Sequence, residues 1–157
     1  MKLTIKRLAV SVALLAAASV HADDTPQPTV ERSPAQVVSI VVYALQRNPS
    51  SGDDAGIETV WAFASPGNRA FTGPLERFTA MIKNGFPDML GFSASRFEDI
   101  DVDGNSAVQI VWLRQEDGRE VGYAFQLRRQ GSGQYRDMWM TEGVVPLGES
   151  ERSGTSI

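Results

Sequence analysis

The chain has 157 residues, a formal net charge of −4, one histidine and no cysteine. This length is typical of one domain, and a hydrophobic content of 42% is enough for a packed core. The lack of cysteine excludes disulfides, thiolate nucleophiles and Cys-ligated metals, and the negative charge argues against a nucleic-acid partner. We predict no cofactor and no metal.

The first 22 residues have the three-part pattern of a secretory signal peptide. Three basic residues come first, an apolar run covers 8–18, and Val20 and Ala22 are small enough to precede a cleavage site. The run has about half the length that a membrane-spanning helix needs. We therefore expect cleavage after Ala22, no stable membrane anchor, and a periplasmic or secreted protein.

Cleavage would narrow the available chemistry. It removes three of the 15 basic residues and none of the 19 acidic ones, which leaves a net charge of −7. It also removes His21, the single histidine, and leaves Lys83 as the one lysine. Histidine-dependent triads and metal sites are then excluded. Any catalysis would depend on carboxylates, Tyr, Ser, Arg, Lys83 or a cofactor.

The remaining chain divides into three parts by composition. Residues 23–32 are polar, contain two prolines and are predicted to be a flexible lead-in. Residues 33–147 carry the periodic patterns of a single α+β domain, and 148–157 are predicted to be a disordered tail.

Three helices are predicted in the first half of the domain from apolar residues at helical spacing. The first helix starts at a capping box at 33–36 and ends at Asn48-Pro49. The second starts at Asp53 or Asp54 and ends at Ser65-Pro66-Gly67. The third starts at Gly73-Pro74 and ends at Asn84-Gly85. The segment 65–74 is predicted to be a sharp loop between two helices.

The second half changes to strict alternation, which predicts four strands of an antiparallel meander at 95–102, 106–115, 120–130 and 134–145. Asp117-Gly118 between two alternating segments is a strong hairpin signal. A two-residue turn there pairs Trp112 with Tyr123 and continues an apolar row. A slip of one residue would set Trp112 opposite Gly122, so we predict the first register.

The two halves together predict an α+β fold, with three N-terminal helices packed on a curved four-stranded sheet. The other sheet face is also partly apolar, through Val111, Leu113, Ala124, Met138 and Met140. We expect that face to be a pocket wall, the interface of a homodimer, or a surface closed by the curvature of the sheet. The element order resembles the cone-shaped fold of the nuclear transport factor two-like superfamily, whose members often contain a cavity.

A second resemblance is more specific. Phe63-Ala64-Ser65-Pro66-Gly67-Asn68-Arg69, then Thr72-Gly73-Pro74 and Arg77-Phe78, resemble the signature of an uncharacterised family of exported proteobacterial proteins. The family is a domain of unknown function, and the resemblance runs from about Pro34 to Val145. It implies no activity, because none is assigned to the family.

An aromatic row is the first candidate binding site. Trp112, Tyr123, Phe125 and Trp139 are predicted to be connected, with Trp139 beside Phe125 and Arg114 at the end of the row. Such a row either packs in the core or lines a cavity that takes a small apolar molecule. In the second case Arg114 could hold an acidic group of that molecule.

Arg69 is a further candidate. Its side chain either closes the 65–74 loop by binding the last carbonyls of the second helix or offers its planar fork to an anionic ligand.

A calcium-like motif fails on its last ligand. Asp99-Ile100-Asp101-Val102-Asp103-Gly104 matches the start of a calcium loop. The twelfth position requires a bidentate glutamate, and it is Ile110. No metal site is predicted.

Two functions are compatible with these residues. We expect an exported, non-catalytic module that binds a small apolar or weakly acidic molecule, or a protein partner. The alternative is an acid–base isomerase or lyase with Tyr123 and a carboxylate, from Asp101, Asp137 or Glu142, in a cone-shaped pocket.

Overall fold

The computed structural model describes residues 25–49 and 52–150. The predicted signal peptide and the end of the predicted tail, 151–157, lie outside these ranges. The described chain is an α+β fold in which four α-helices precede an antiparallel five-stranded sheet that does not close. None of the described helices is long and apolar enough to cross a membrane.

The helices are Pro34–Gln46 (α1), Ala55–Phe63 (α2), Pro66–Thr72 (α3) and Leu75–Gly85 (α4). The strands are Ala94–Phe97 (β1), Asp101–Asp103 (β2), Ser106–Arg114 (β3), Glu120–Arg129 (β4) and Trp139–Glu149 (β5). Short 3₁₀ helices lie at Pro87–Met89 and Gly133–Tyr135. The sheet order is β1-β3-β4-β5, and β2 pairs with β3 on the same side as β1.

The start of α1 confirms the predicted capping box. The Ser33 hydroxyl accepts a hydrogen bond from the backbone N–H of Gln36, whose side chain accepts one from the backbone N–H of Ser33. Two of the unpaired N–H groups at the helix start are therefore satisfied.

The predicted loop at 65–74 is wrong, because most of it forms α3. The Ser65 hydroxyl accepts a hydrogen bond from the Asn68 backbone N–H at 3.1 Å, and Pro66 occupies the first helical position. Proline is favourable there because the first N–H of a helix has no partner within the helix. Pro66 therefore begins a helix as well as ending the one before it.

The strand predicted at 95–102 is two strands. Phe97 pairs with Val111 but Asp101 pairs with Val108, so the register changes by one residue between them. The predicted start of the last strand at 134 is also wrong, since a 3₁₀ helix precedes β5. The expectation that Trp139 lies beside Phe125 is wrong, because Trp139 pairs with Arg129.

The predicted register of the β3–β4 hairpin is wrong by one residue. Gln115 N–H donates to Arg119 O at 2.8 Å, so three residues form the loop. Gly118 ends that loop with a φ of 85° and donates its N–H to Gln115 O. This is the geometry of a three-residue hairpin with a glycine bulge.

As a result, Trp112 pairs with Gly122 and Tyr123 with Val111, so Trp112 and Tyr123 point to opposite faces of the sheet. The face that carries Val111 and Tyr123 is buried against the helices and is called the inner face. The face that carries Trp112 is called the outer face. The expectation that Val111 and Leu113 lie away from the helices is wrong, because both are buried in the core.

Asp117 fixes the hairpin corner. Its carboxylate accepts hydrogen bonds from the Arg119 backbone N–H at 2.9 Å and from Arg119 Nε at 2.7 Å. These hydrogen bonds lower the pKa of the Asp117 carboxyl. Arg119 also donates to Glu149 at 3.1 Å, which ties the corner to the end of β5.

The main core lies between the inner face and the helices. α1 contacts α2, β3 and β5, and it buries apolar residues on most of its circumference. They are Val37, Val38, Val41, Val42, Ala44 and Leu45. Phe63 of α2 and Phe125 of β4 are the largest fully buried side chains.

Candidate functional site

A cavity of about 280 Å³ lies between the inner face and the four helices. Its apolar lining includes Leu45 of α1, Val60 of α2, Phe78 and Ile82 of α4, Phe125 of β4 and Val144 of β5. Protein interiors rarely contain voids larger than a water molecule. This volume corresponds to about nine waters at liquid density, so it is not an ordinary packing defect.

The cavity is partly open to solvent, and apolar side chains flank its opening. Phe71 of α3 lines the cavity although 86% of its surface is exposed, and Met81 of α4 is also exposed. On α4, Phe78 and Ile82 are four residues apart and therefore share the buried face of the helix. Met81 lies at the edge of that face.

Glu142 is the one ionisable residue among the described residues that line the cavity. Its Oε1 accepts a hydrogen bond from Gln130 Nε2 at 3.2 Å, and Arg128 Nε lies 3.9 Å from the same oxygen. The Glu142 side chain remains 32% exposed. A partly solvated carboxylate thus borders a mainly apolar cavity.

Three further polar residues line the cavity and attach α3 to β5. Thr72 Oγ1 donates to Asn68 O at 2.8 Å, and Asn68 Nδ2 donates to Thr141 O at 3.1 Å. Ser65 N–H donates to the same Thr141 carbonyl at 2.9 Å. These hydrogen bonds fix one wall of the cavity.

The structure brings one of the six predicted site residues, Phe125, to the cavity. Trp112 lies on the outer face, where its Nε1 donates to Glu98 Oε1 at 2.6 Å and Arg96 stacks on its ring at 5.7 Å. Trp139 is partly buried at the start of β5 and packs against the core. Arg114 pairs with Glu120 at 2.9 Å and does not line the cavity.

Tyr123 is buried in the core, with 3% of its surface exposed, and it does not line the cavity. Burial, and to a smaller extent the charge of Asp88, raises its pKa to about 12. Of the three carboxylates considered with it, Asp101 and Asp137 are exposed, and Glu142 lines the cavity. The groups named for acid–base catalysis are therefore dispersed.

Arg69 binds the carbonyls at the end of α2, one of the two roles considered for it. Its Nε and Nη2 donate to the carbonyls of Trp61 and Ala62 at 3.1 and 2.9 Å. Its Nη1 donates to the Tyr135 hydroxyl at 3.2 Å, and the guanidinium lies 5.3 and 5.4 Å from the Trp61 and Tyr135 rings. Arg69 thus joins α2, α3 and the loop before β5.

Sequence reasoning missed Phe71 and Thr72 as cavity residues, because it treated their segment as a loop. The Ser65-Pro66 pair was the signal that could have found them, since Ser33-Pro34 marks the start of α1 in the same way. Sequence reasoning did name Glu142, as one of three candidate carboxylates for a pocket, and of the three only Glu142 lines the cavity.

The aspartates of the calcium-like motif lie on and beside β2, and Asp101 and Asp103 are exposed. Within residues 25–49 and 52–150, no three carboxylate, histidine or cysteine side chains are close enough together to hold a metal ion.

Comparisons with curated proteins and with solved structures found no match. A comparison with family models matched residues 35–152 to the family described as "Domain of unknown function (DUF4864)". The match includes α2 to α4, all five strands and all but the first residue of α1. The chain therefore belongs to the DUF4864 family.

Proposed function

We propose that this protein is a non-catalytic module that holds a small apolar molecule in the cavity between its helices and sheet. The observation that carries the proposal is a partly open volume of about 280 Å³ lined mainly by aliphatic and aromatic side chains. Small-molecule sites in proteins are typically concave and apolar, with a few polar groups that orient the ligand. The four polar side chains of the cavity match that description.

The hydrophobic effect would supply the affinity. Each methylene moved from water into the cavity contributes about 0.8 kcal/mol. Phe78, Ile82 and Val144 are held by the surrounding helices and strand, so the site needs little reordering on binding.

We also propose that the protein is exported. We further propose that its fold is cone-shaped and similar to the nuclear transport factor two-like superfamily. The pattern of residues 1–22 supports export to the periplasm or the exterior. Register shifts along β4–β5 support a bent sheet, and helices on its inner face leave a cavity. We also propose that the protein comes from a proteobacterium, which its resemblance to an exported proteobacterial family supports.

Methionine methyl groups provide the test. We would label the methionines with ¹³C at Cε, titrate 1-octanol into the protein, and record methyl spectra. Met81 and Met89 line the cavity, whereas Met138 and Met140 do not. Saturable shifts confined to Met81 and Met89 would support the proposal, and equal shifts at all four, or none, would refute it.

Neighbouring residues of β5 give a matched pair of variants. Val144 lines the cavity and pairs with Phe125, whereas Val145 pairs with Ala124 on the outer face. The Val144→Trp substitution should fill the cavity and abolish the octanol shifts. The Val145→Trp substitution adds the same ring outside the cavity and should preserve them. Circular dichroism of both variants would verify that they fold.

We also propose that two copies associate through the outer face. Val108 is 40% exposed there and lies in a partly apolar surface with Ile110, Trp112 and Val145. Arg96 and Glu98 beside Trp112 carry opposite charges, which suits a surface that meets its own copy. Sedimentation velocity should detect a dimer that dissociates in the Val108→Lys variant.

Val102 provides the control for the dimer. It is 48% exposed, but it pairs with Ala107 and therefore lies on the other side of the sheet. Val102→Lys should leave the dimer intact. A wild-type monomer at all concentrations, or equal effects of the two variants, would contradict the proposal.

A further inference from the structure

We infer that the cavity selects a guest by its polar end, favouring a cationic amine over an alcohol and an alcohol over a carboxylate, and that Glu142 sets this order. The inference rests on the proposed function. It also revises the expectation of a weakly acidic guest, because that expectation depended on Arg114, which lies away from the cavity and pairs with Glu120.

The Glu142 carboxylate has one oxygen that the protein engages less than the other. Gln130 and Arg128 both approach Oε1. Oε2 lies beside Gly67, at 3.7 Å from the position that a Cβ would have there. Because Gly67 lacks a side chain, nothing from that residue covers Oε2. This oxygen can accept a hydrogen bond from a guest.

Two donors of the other polar side chains in the lining are already used within the protein. Asn68 Nδ2 donates to Thr141 O, and Thr72 Oγ1 donates to Asn68 O. In the part of the chain that the structure describes, no group donates to Asn68 Oδ1. Asn68 Oδ1 and Glu142 Oε2 are therefore acceptors that a donating guest could engage.

An anionic end would find no cation in the lining. No lysine or arginine is among the described residues that border the cavity. Arg128, the nearest to Glu142, has a side chain that is 61% exposed, and Arg69 directs its nitrogens to carbonyls and to Tyr135. A carboxylate entering the cavity would lose hydration and would meet the negative charge of Glu142.

The size of the cavity sets the class of guest. A volume equal to about nine waters holds a molecule of roughly ten non-hydrogen atoms. The guest is therefore a short aliphatic or aromatic amine, with its apolar part between α4 and β4 and its ammonium group at Glu142.

Three probes that share one aliphatic chain and differ in charge test the inference. Octylammonium, 1-octanol and octanoate are titrated at pH 7, and the shifts of the Met81 and Met89 methyl groups give each Kd. Adjacent probes should differ by roughly fivefold, because the Glu142 side chain is 32% exposed and solvent screening brings its interaction with a unit charge close to the value in water.

The Glu142→Gln variant removes the charge and keeps the size of the side chain. It should still bind 1-octanol, with a smaller change in Kd than for either charged probe, and should reduce the difference between amine and carboxylate to about threefold or less. Glu116→Gln is the matched control, since Glu116 is an exposed hairpin residue and its loss changes the net charge equally. That control should keep the wild-type order of affinities.

The outcomes separate the inference from the proposed function. If none of the three probes shifts Met81 and Met89, the cavity does not bind such molecules and both proposals fail. If 1-octanol binds but octanoate binds as tightly as octylammonium, or if Glu142→Gln keeps the charge order, the cavity is a binding site and the role of Glu142 is refuted.

Discussion

Gly122 lacks a side chain at the position where the ring of Trp112 crosses the neighbouring strand. A Cβ on Gly122 would lie 2.7, 2.9 and 3.0 Å from three ring atoms of Trp112. An aromatic ring placed across a strand glycine covers the exposed backbone and holds the register. This pair therefore helps to select the observed β3–β4 alignment.

Gly122→Ala should lower the free energy of unfolding by about 1–3 kcal/mol, because the new methyl group must displace the indole. Urea denaturation measures the change. Gly143→Ala is the control in the next strand, since its Cβ would make only an ordinary contact at 3.7 Å. Trp112→Ala should cost less in the Gly122→Ala background than alone, and strict additivity would contradict the pairing.

The contacts that Arg69 makes depend on the planar shape of its side chain as well as on its charge. Its three nitrogens donate to three oxygens on two segments, and its plane lies near two rings. Arg69→Lys keeps the charge but loses the fork, and should lower the free energy of unfolding by about 1–3 kcal/mol. The exposed Arg136 is the control, and Arg136→Lys should change stability by less than about 0.5 kcal/mol. Similar losses for the two variants in urea denaturation would count against this role of Arg69.

At the scale of elements, the β3–β4 hairpin depends on one residue with a left-handed backbone conformation. Gly118 has a φ of 85°, whereas Gly85 is the last residue of α4 and nothing lies within 4 Å of its would-be Cβ. Gly118→Ala should destabilise the protein by about 1–2 kcal/mol. Gly85→Ala should stabilise it by about 0.5–1 kcal/mol, because alanine loses less backbone entropy in a helix.

The opposite signs make this pair of alanine variants informative, since a general effect of alanine would move both midpoints the same way. Thermal and urea midpoints should fall for Gly118→Ala and rise for Gly85→Ala. A rise for both would mean that the hairpin tolerates another turn and that the three-residue loop is not required.

The helices illustrate how one local signal can have two meanings. Ser-Pro begins both α1 and α3, through the same hydrogen bond from the third helical N–H to the serine hydroxyl. Before α1 the signal follows a polar segment, and its meaning is clear. Before α3 it follows a helix directly, so the same proline also fits the end of that helix. The seven residues of α3 are also too few for a periodic pattern.

At the scale of the whole molecule, the cavity exists because no single element fills it. α1, α2, α3, α4, β4 and β5 each contribute part of the lining. Their apolar faces were predicted from spacing, but the space between those faces depends on how far apart the helices and the sheet lie. The size and position of the cavity therefore had no separate signal in the sequence, and nothing in the sequence distinguished Glu142 from the other two carboxylates considered for a pocket.

Because Tyr123 is buried, the free energy of unfolding of the whole molecule should fall as the pH rises into the alkaline range. In the unfolded chain its pKa is about 10, and in the folded protein it is about 12. The folded state therefore holds the proton more tightly, and this contribution to stability is complete below pH 10 and is lost as pH rises from 10 towards 12.

The Tyr123→Phe variant should show a shallower fall of the free energy of unfolding across that window. Urea denaturation at a series of pH values, compared with wild type, measures the difference. The absorbance titration of the variant should also lack a tyrosine step near pH 12. Identical slopes for the two proteins would show that Tyr123 is not the group responsible.

By itself, the sequence determined the class of the fold, the first helix with its capping box, the site of the β3–β4 hairpin, and the family. These features follow from short-range periodicity, capping and turn chemistry, which act over a few residues. Only the tertiary structure decided the hairpin register, the helical state of 66–72 and the cavity. A three-residue turn and a two-residue turn both fit Asp117-Gly118, and packing of the inner face against α1 distinguished them. The side of the sheet on which Trp112 and Tyr123 lie, and hence which residues can meet a ligand, depended on that contact.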